Sequence, residues 1–196
     1  RDFRHESRHT ADCASFLAFS GELAAAGSPE GLLGRLTAFY QTQGVGLLGM
    51  GQVFRARRTG NGAELVPVED RPPVRLADLV GYRQQKDLLI RNTEAFLRGK
   101  GSNNVLLYGD AGTGKSTSIQ ALVNEYADQG LRLIELYKEQ YDLIPDILRQ
   151  VKGRNYRFLL FLDDLSFEEN ETSYKYLKAV MEGGAEAPPE NVRICA

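Results

Sequence analysis

Gly109-Asp110-Ala111-Gly112-Thr113-Gly114-Lys115-Ser116, followed by Thr117, is the stretch from which the rest of this chain can be read. It satisfies GxxxxGK[ST] and lies between an apolar run, Val105 to Tyr108, and a segment with helical spacing, Lys115 to Ala127. A strand-to-helix setting is the one in which this pattern has a physical meaning. Glycines let the backbone curl until its N–H groups converge on phosphate oxygens, and the following helix turns its positive end toward the same anion. The Lys115 ammonium supplies a point charge able to bridge β- and γ-phosphates. The Ser116 hydroxyl is placed to ligate Mg²⁺, and Thr117 supports the loop.

Downstream, Phe158 to Leu162 is an uninterrupted apolar run ending in Asp163 and Asp164, which is the pattern of a strand buried on both faces with carboxylates at its carboxyl end. This strand is expected beside the P-loop strand, bringing Asp163 into the Mg²⁺ shell with Ser116 and turning Asp164 toward the attacking water. Glu168 is a second candidate for holding that water, and its bland reading is a helix-entry residue. With Glu169 and Glu171 it forms an acidic stretch that reads as a solvated loop, because the EF-hand spacing and its central glycine are absent.

Working outward, strands are expected at Val105 to Tyr108, Leu131 to Tyr137, Arg157 to Leu162 and Val192 to Ala196. Helices are expected at Lys115 to Ala127, Ile144 to Val151 and about Thr172 to Glu182, with a further one from Tyr82 to Arg98 that Gly99 ends. Such alternation implies right-handed crossovers and a parallel sheet, hence a three-layer α/β P-loop NTPase domain. Pro72 and Pro73 break the chain before it, and the boundary is placed there: an N-terminal extension over residues 1–75 and a partial P-loop core over residues 76–196. The extension reads as two helices within residues 10–42, around Gly27-Ser28-Pro29, and a β-hairpin of Gly51 to Arg57 and Ala63 to Val68 turning near Asn61-Gly62.

At 196 residues, with 42% hydrophobic and 26% charged side chains, the composition is that of one ordinary core with a modest appendage, which excludes disordered and fibrous classes. No stretch approaches the roughly 18 uninterrupted apolar residues of a membrane helix. Charge is spread through residues 1 to 20, so a soluble, cytoplasmic protein with no membrane partner is expected. Lys and Arg number 24 against 26 Asp and Glu, which lacks the basic excess of a dedicated nucleic-acid binder, so that partner is not favoured. The short basic cluster Arg55, Arg57 and Arg58 reads as a solvated strand face. Cys13 and Cys195 are far apart with no CxxC spacing, which argues against a disulfide framework and for a reducing setting. His5-Glu6-Ser7-Arg8-His9 matches HExxH, but the chain has only these 2 histidines, Arg8 sets a cation beside the would-be metal, and nothing apolar flanks the segment. It reads as a charged terminus rather than a zinc site.

Asp78-Leu79-Val80-Gly81-Tyr82 with Gln85-Lys86, Asn92 to Leu97, Asn103 to Asp110, Asp163 to Glu168, and Tyr174-Lys175 to Gly183-Gly184 together resemble a bacterial family of AAA+ ATPases of unknown function. The likeness is close over residues 76 to 196 and looser over residues 40 to 75. In AAA+ proteins the segment before the P-loop contacts adenine, so the resemblance implies Val80, Gly81 and Tyr82 against the base; Tyr82 also reads as a core aromatic. The resemblance further implies a homo-oligomer in the full-length form, with an arginine finger received from a neighbouring subunit. Two departures stand out. Most AAA+ ATPases carry Asp-Glu where this chain has Asp163-Asp164, and the shorter side chain holds water differently. The chain also stops where the family continues into a sensor residue, a fifth strand, the finger and a helical lid, so it is expected to be C-terminally truncated and slow in turnover.

The function expected from these residues is Mg²⁺-dependent ATP binding and hydrolysis serving an unknown protein client. ATP and Mg²⁺ are the expected cofactors; Lys115 and Ser116 bind, and Asp163 and Asp164 organise metal and water. A nucleotide switch with little hydrolysis is the first rival, and a small-molecule kinase is a weaker one. A GTPase is disfavoured because no NKxD motif occurs.

Overall fold

Two hexapeptides rich in Leu, Ile and Phe, LRLIEL and RFLLFL, form the centre of a five-stranded sheet in the computed structural model, which describes residues 13–43, 46–60, 62–163 and 188–196. They are β3 (Leu131–Leu136) and β4 (Arg157–Leu162), flanked by β1 (Val53–Thr59), β2 (Gly62–Pro67) and β5 (Val192–Cys195) in the order β2-β1-β3-β4-β5. Pairing is parallel from β1 through β3 and β4 to β5, and antiparallel only between β1 and β2. Every residue of β3 is buried, and only Arg157 of β4 is not, which is what a parallel strand covered on both faces requires.

One face of the sheet carries α4 (Arg83–Leu97) and α5 (Lys115–Tyr126). Leu89 and Phe96 of α4 and Ile119, Leu122 and Val123 of α5 join Leu131, Leu133, Leu159 and Phe161 in one apolar cluster. The opposite face is closed by a 3-10 segment (Lys138–Leu143) and α6 (Ile144–Val151). Ile144, Ile147, Leu148 and Val151 are all buried and recur at the spacing of a single helical stripe. These are the expected three layers. No helix among the described residues is long and apolar enough to cross a membrane.

The compact units divide between Gly51 and Gln52, not at the expected break near Pro72 and Pro73. The hairpin is the reason. Val53, Phe54 and Arg55 pair in parallel with Leu133, Ile134 and Glu135, and the Leu133 N–H donates to the Gln52 carbonyl at 2.9 Å. The hairpin therefore extends the main sheet instead of belonging to an N-terminal extension. After β2, Asn124 of α5 donates to the carbonyls of Pro72 and Val74, so the proline break marks only the passage back across the domain. The first unit holds α1 (Cys13–Ala24), α2 (Pro29–Gln43) and the short α3 (Leu47–Met50). Ser28 accepts from the Gly31 N–H at 3.1 Å with Pro29 next to it, a start signal of the kind the sequence suggests, and Phe19 stacks on Phe39 with centroids 3.7 Å apart.

The P-loop segment joins the far side of β5. Val105 donates to Ile194, Leu107 donates to Ala196, and the Ala196 N–H returns to Val105, although only Val105 and Cys195 form a bridge. The expected adjacency of this segment and the strand ending at Asp163 is therefore wrong: β5 lies between them. At about 4.8 Å per strand, two spacings separate them by about 10 Å. The helix expected at Thr172 to Glu182 lies outside the described residues.

Leu133 is fully buried on the central strand, so Leu133→Ala should cost about 2–5 kcal/mol. Arg57→Ala should cost less than about 1 kcal/mol, because its pair with Glu64 is exposed. Urea unfolding monitored by circular dichroism checks both, as a large against a small fall in midpoint.

Candidate functional site

The loop between Tyr108 and α5 is shaped by glycine φ angles. Gly109, Gly112 and Gly114 stand at φ 148°, 78° and 85°. A Cβ at Gly112 or Gly114 meets nothing within 4 Å, so it is the left-handed backbone rather than crowding that calls for glycine. The same open space leaves a hollow above the start of α5. Gly114 occupies the N-cap position and no side chain caps the helix, which leaves its first N–H groups turned toward that hollow.

Lys115 bends back over the loop and donates to the Gly109 carbonyl at 2.7 Å and the Asp110 carbonyl at 2.9 Å. Thr113 donates to Asp110 at 2.9 Å and Ser118 to Gly114 at 2.7 Å, so the turn is braced from within. Among the described residues no carboxylate pairs with Lys115. Uncapped N–H groups and an ammonium held only by neutral carbonyls suit a polyanion.

A cleft of about 290 Å³ opens beside this loop. Leu79, Val80, Gly81 and Tyr82 line one side, and Leu106, Tyr108, Thr113 and Lys115 line the other. The three residues expected against a base thus share a cleft with the lysine expected against phosphate. Tyr82 is 58% exposed, which overturns its reading as a core aromatic. Gly81 at φ 83° and Tyr82 at φ 50° are consecutive left-handed residues, and Lys86 holds this turn by donating to the Leu79 carbonyl at 2.6 Å. Leu106 and Tyr108 line the cleft as well, although no motif in the sequence points to them. The signal lies in their alternation with half-buried Val105 and Leu107, which puts Leu106 and Tyr108 together on the other face of the segment.

Asp163 follows β4 at the carboxyl edge with an exposed side chain. Its N–H donates to Leu136 at 3.2 Å and its carbonyl accepts from the Tyr141 hydroxyl at 3.1 Å, so the main chain is held while the carboxylate is left to solvent. Ser116 lies in the first turn of α5. Among the described residues no cluster of three or more His, Cys, Asp or Glu is present. One hydroxyl, Ser116, and one exposed carboxylate, Asp163, would be the protein's donors to a Mg²⁺ ion, a sparse set that fits a cation keeping most of its shell from water and ligand oxygens. Asp164, Glu168 and the HExxH residues His5, Glu6 and His9 lie outside the described residues.

Each arginine of the basic cluster carries a carboxylate. Arg55 meets Glu135 at 3.1 Å, Arg57 meets Glu64 at 2.7 Å, and Arg58 grips Asp142 with both terminal nitrogens. That hydrogen-bonded guanidinium holds the Asp142 carboxyl below its ordinary value. This strand face is neutralised, as a solvated face should be.

Residues 50–196 match the family described as "Protein of unknown function (DUF815)". Over 90 residues the chain is 36% identical to the replication factor C large subunit of Staphylothermus marinus, covering 45% of this chain and 21% of that protein. It is 31% identical over 104 residues to the replication factor C large subunit of Methanococcus vannielii, covering 50% and 21%. The corresponding protein of Aeropyrum pernix is 32% identical over 91 residues, covering 45% and 18%. The chain thus spans about a fifth of the length of these curated relatives.

Cys195, between Phe161 of β4 and Val105, is 1% exposed, and burial pushes its thiol up to about 12. Iodoacetamide at pH 8 should leave Cys195 unlabelled in the folded protein and label it in urea, where the thiol returns toward about 8.5. Mass-spectrometric mapping of the two cysteines reads the outcome, and rapid labelling of Cys195 without urea would contradict this packing.

Proposed function

The chain belongs to the DUF815 family and is an AAA+ P-loop domain of the nucleotide-binding ATPase type, and we propose that it binds ATP in this cleft and hydrolyses it with Mg²⁺. The observation that carries the proposal is a single cleft lined by Val80, Gly81 and Tyr82 on one side and Thr113 and Lys115 on the other, beside an uncapped helix start. A planar base covers the apolar surfaces of Val80, Leu106 and Tyr108 at the cleft, which are otherwise left to water. The polyphosphate then runs into the hollow of Gly109, Asp110, Ala111, Gly112, Thr113, Gly114, Lys115, Ser116 and Thr117.

On binding, Lys115 exchanges its two carbonyl acceptors for β- and γ-phosphate oxygens, and the first N–H groups of α5 face the same charge. Ser116 and Asp163 hold Mg²⁺, which when bound offsets charge on the phosphates. Asp164 accepts a hydrogen bond from the attacking water and orients it in line with the γ-phosphate, with Glu168 as the alternative holder. The relatives are named as large subunits, which supports a place for this chain in an oligomer; further copies of itself and an unknown client protein are its proposed partners there.

Lys115→Ala should weaken ATP binding by roughly tenfold or more and leave AMP binding nearly unchanged, because the lost charge faces phosphates that AMP lacks. Calorimetry with both nucleotides tests this, and equal losses for the two would refute the assignment. Asp163→Asn should reduce Mg²⁺-dependent ATP affinity, whereas Asp164→Asn should preserve affinity and abolish phosphate release, since metal holding and water orientation act at different steps. Persistent turnover in Asp164→Asn together with its loss in Glu168→Gln would transfer the water-holding role to Glu168.

A further inference from the structure

At the amino end of the sheet, about 20 Å along β4 from Asp163, two arginines converge. Arg157 opens β4 and Arg193 is the second residue of β5. Both lie over the buried ring of Phe96, with guanidinium carbons 5.6 Å and 5.0 Å from its centroid. Both also donate to one oxygen, the Glu190 carbonyl, at 3.4 Å and 3.3 Å. Arg193 is further held by Ser102 and Val192. Gly99, at φ 66°, lies against this pair: a Cβ there would stand 3.0 Å from Arg157 Nη2.

Unlike the three arginines of β1, neither of these two has a carboxylate partner among the described residues. Glu190 supplies its carbonyl and makes no ion pair with either. The Nε and Nη2 of Arg157 and the Nη2 of Arg193 donate to no acceptor among the described residues. Burial, and then the neighbouring Arg157 charge, pull Arg193 below the ordinary arginine value, against a smaller opposing pull from the Glu190 charge. Lys100 and Arg154, both exposed, sit on the loops joined here through Ser102 and Asn191. A purely structural role explains the contacts of Arg193 with Ser102, Glu190 and Val192. It leaves three donor nitrogens of two neighbouring guanidinium groups without an acceptor among the described residues, and planar arginine forks with free donors suit an oxyanion.

We propose that Arg157 and Arg193, stacked on Phe96, form a second anion site that takes a phosphate-type oxyanion at the end of the sheet opposite the nucleotide cleft. The three unspent donors and the planar forks suit the several oxygens of a phosphate group, either as the free ion or within a phosphodiester. Arginine stacking on Phe96 orients the forks without consuming their donors.

The test uses the Lys115→Ala chain, in which the P-loop ammonium is removed. Inorganic phosphate should raise its thermal midpoint saturably, and Arg157→Gln or Arg193→Gln in that background should raise the half-effective concentration by roughly tenfold or more. A fluorescent oligothymidylate, followed by anisotropy, separates the sources. A response to phosphate alone assigns the free ion, and oligonucleotide binding lost in both variants assigns the phosphodiester; each supports the site. Absence of any response to both probes, or responses identical in parent and variants, overturns it. Circular dichroism checks each variant. Should Arg193→Gln unfold, Arg157→Gln, whose guanidinium makes one long hydrogen bond, decides the outcome.

Discussion

The parallel register of β3, β4 and β5 is the constraint on which the other features depend. Leu133 stands beside Leu159 and Leu159 beside Arg193, so all three strands run the same way and finish on one edge. A parallel strand cannot be joined to its neighbour by a tight turn, so each must be followed by a crossover that lies on a face. Helix α6 is the crossover from β3 to β4, and α5 leads from the glycine loop into β3; together they supply the apolar cover that lets β3 and β4 be buried on both sides. The same geometry sorts the chemistry by end. Residues that follow strands, Asp163 and the glycine loop, gather at the carboxyl edge, while Arg157 and the Arg193 region gather at the other.

Much of this was legible because it is written in local patterns. The run from Phe158 to Leu162 has no polar residue to turn toward solvent, so burial on both faces follows from the residues alone. Gly109, Gly112 and Gly114 reveal a loop whose backbone other residues would strain. The long-range partnerships were not legible. Val53 to Arg55 look like the start of a self-contained hairpin, since GQVFRAR and AELVPV flank the turn-forming Asn61-Gly62. Nothing near them in sequence announces a parallel partner in β3. The insertion of β5 between the P-loop segment and β4 escaped for the same reason. Strand order is decided by which crossover packs where, and a string of apolar residues fits any interior position.

Charge tells a related story. Runs of arginine looked alike as text, yet Arg55, Arg57 and Arg58 each meet an acidic side chain delivered by β2, β3 or the 3-10 segment after β3. Those partners are near in space and, for Glu135 and Asp142, remote in sequence, so only the folded chain distinguishes a neutralised face from a charged one. Arg157 and Arg193 gave no signal at all as text, being single basic residues at the first position of β4 and the second of β5. Their meaning arises from the shared Glu190 carbonyl and the Phe96 ring.

The folded-back Lys115 has a consequence for selectivity by valency. Its ammonium already donates to two carbonyls, so an incoming anion gains only the difference between its own oxygens and those it displaces. A singly charged ion offering one oxygen recovers little of what it breaks. A ligand that brings several charged oxygens on one chain replaces both acceptors at once and leaves Gly109 and Asp110 free to relax. If Lys115 meets phosphate as proposed, the resting loop discriminates by valency: small anions of a physiological buffer gain little there, and molecules whose charges arrive together gain more.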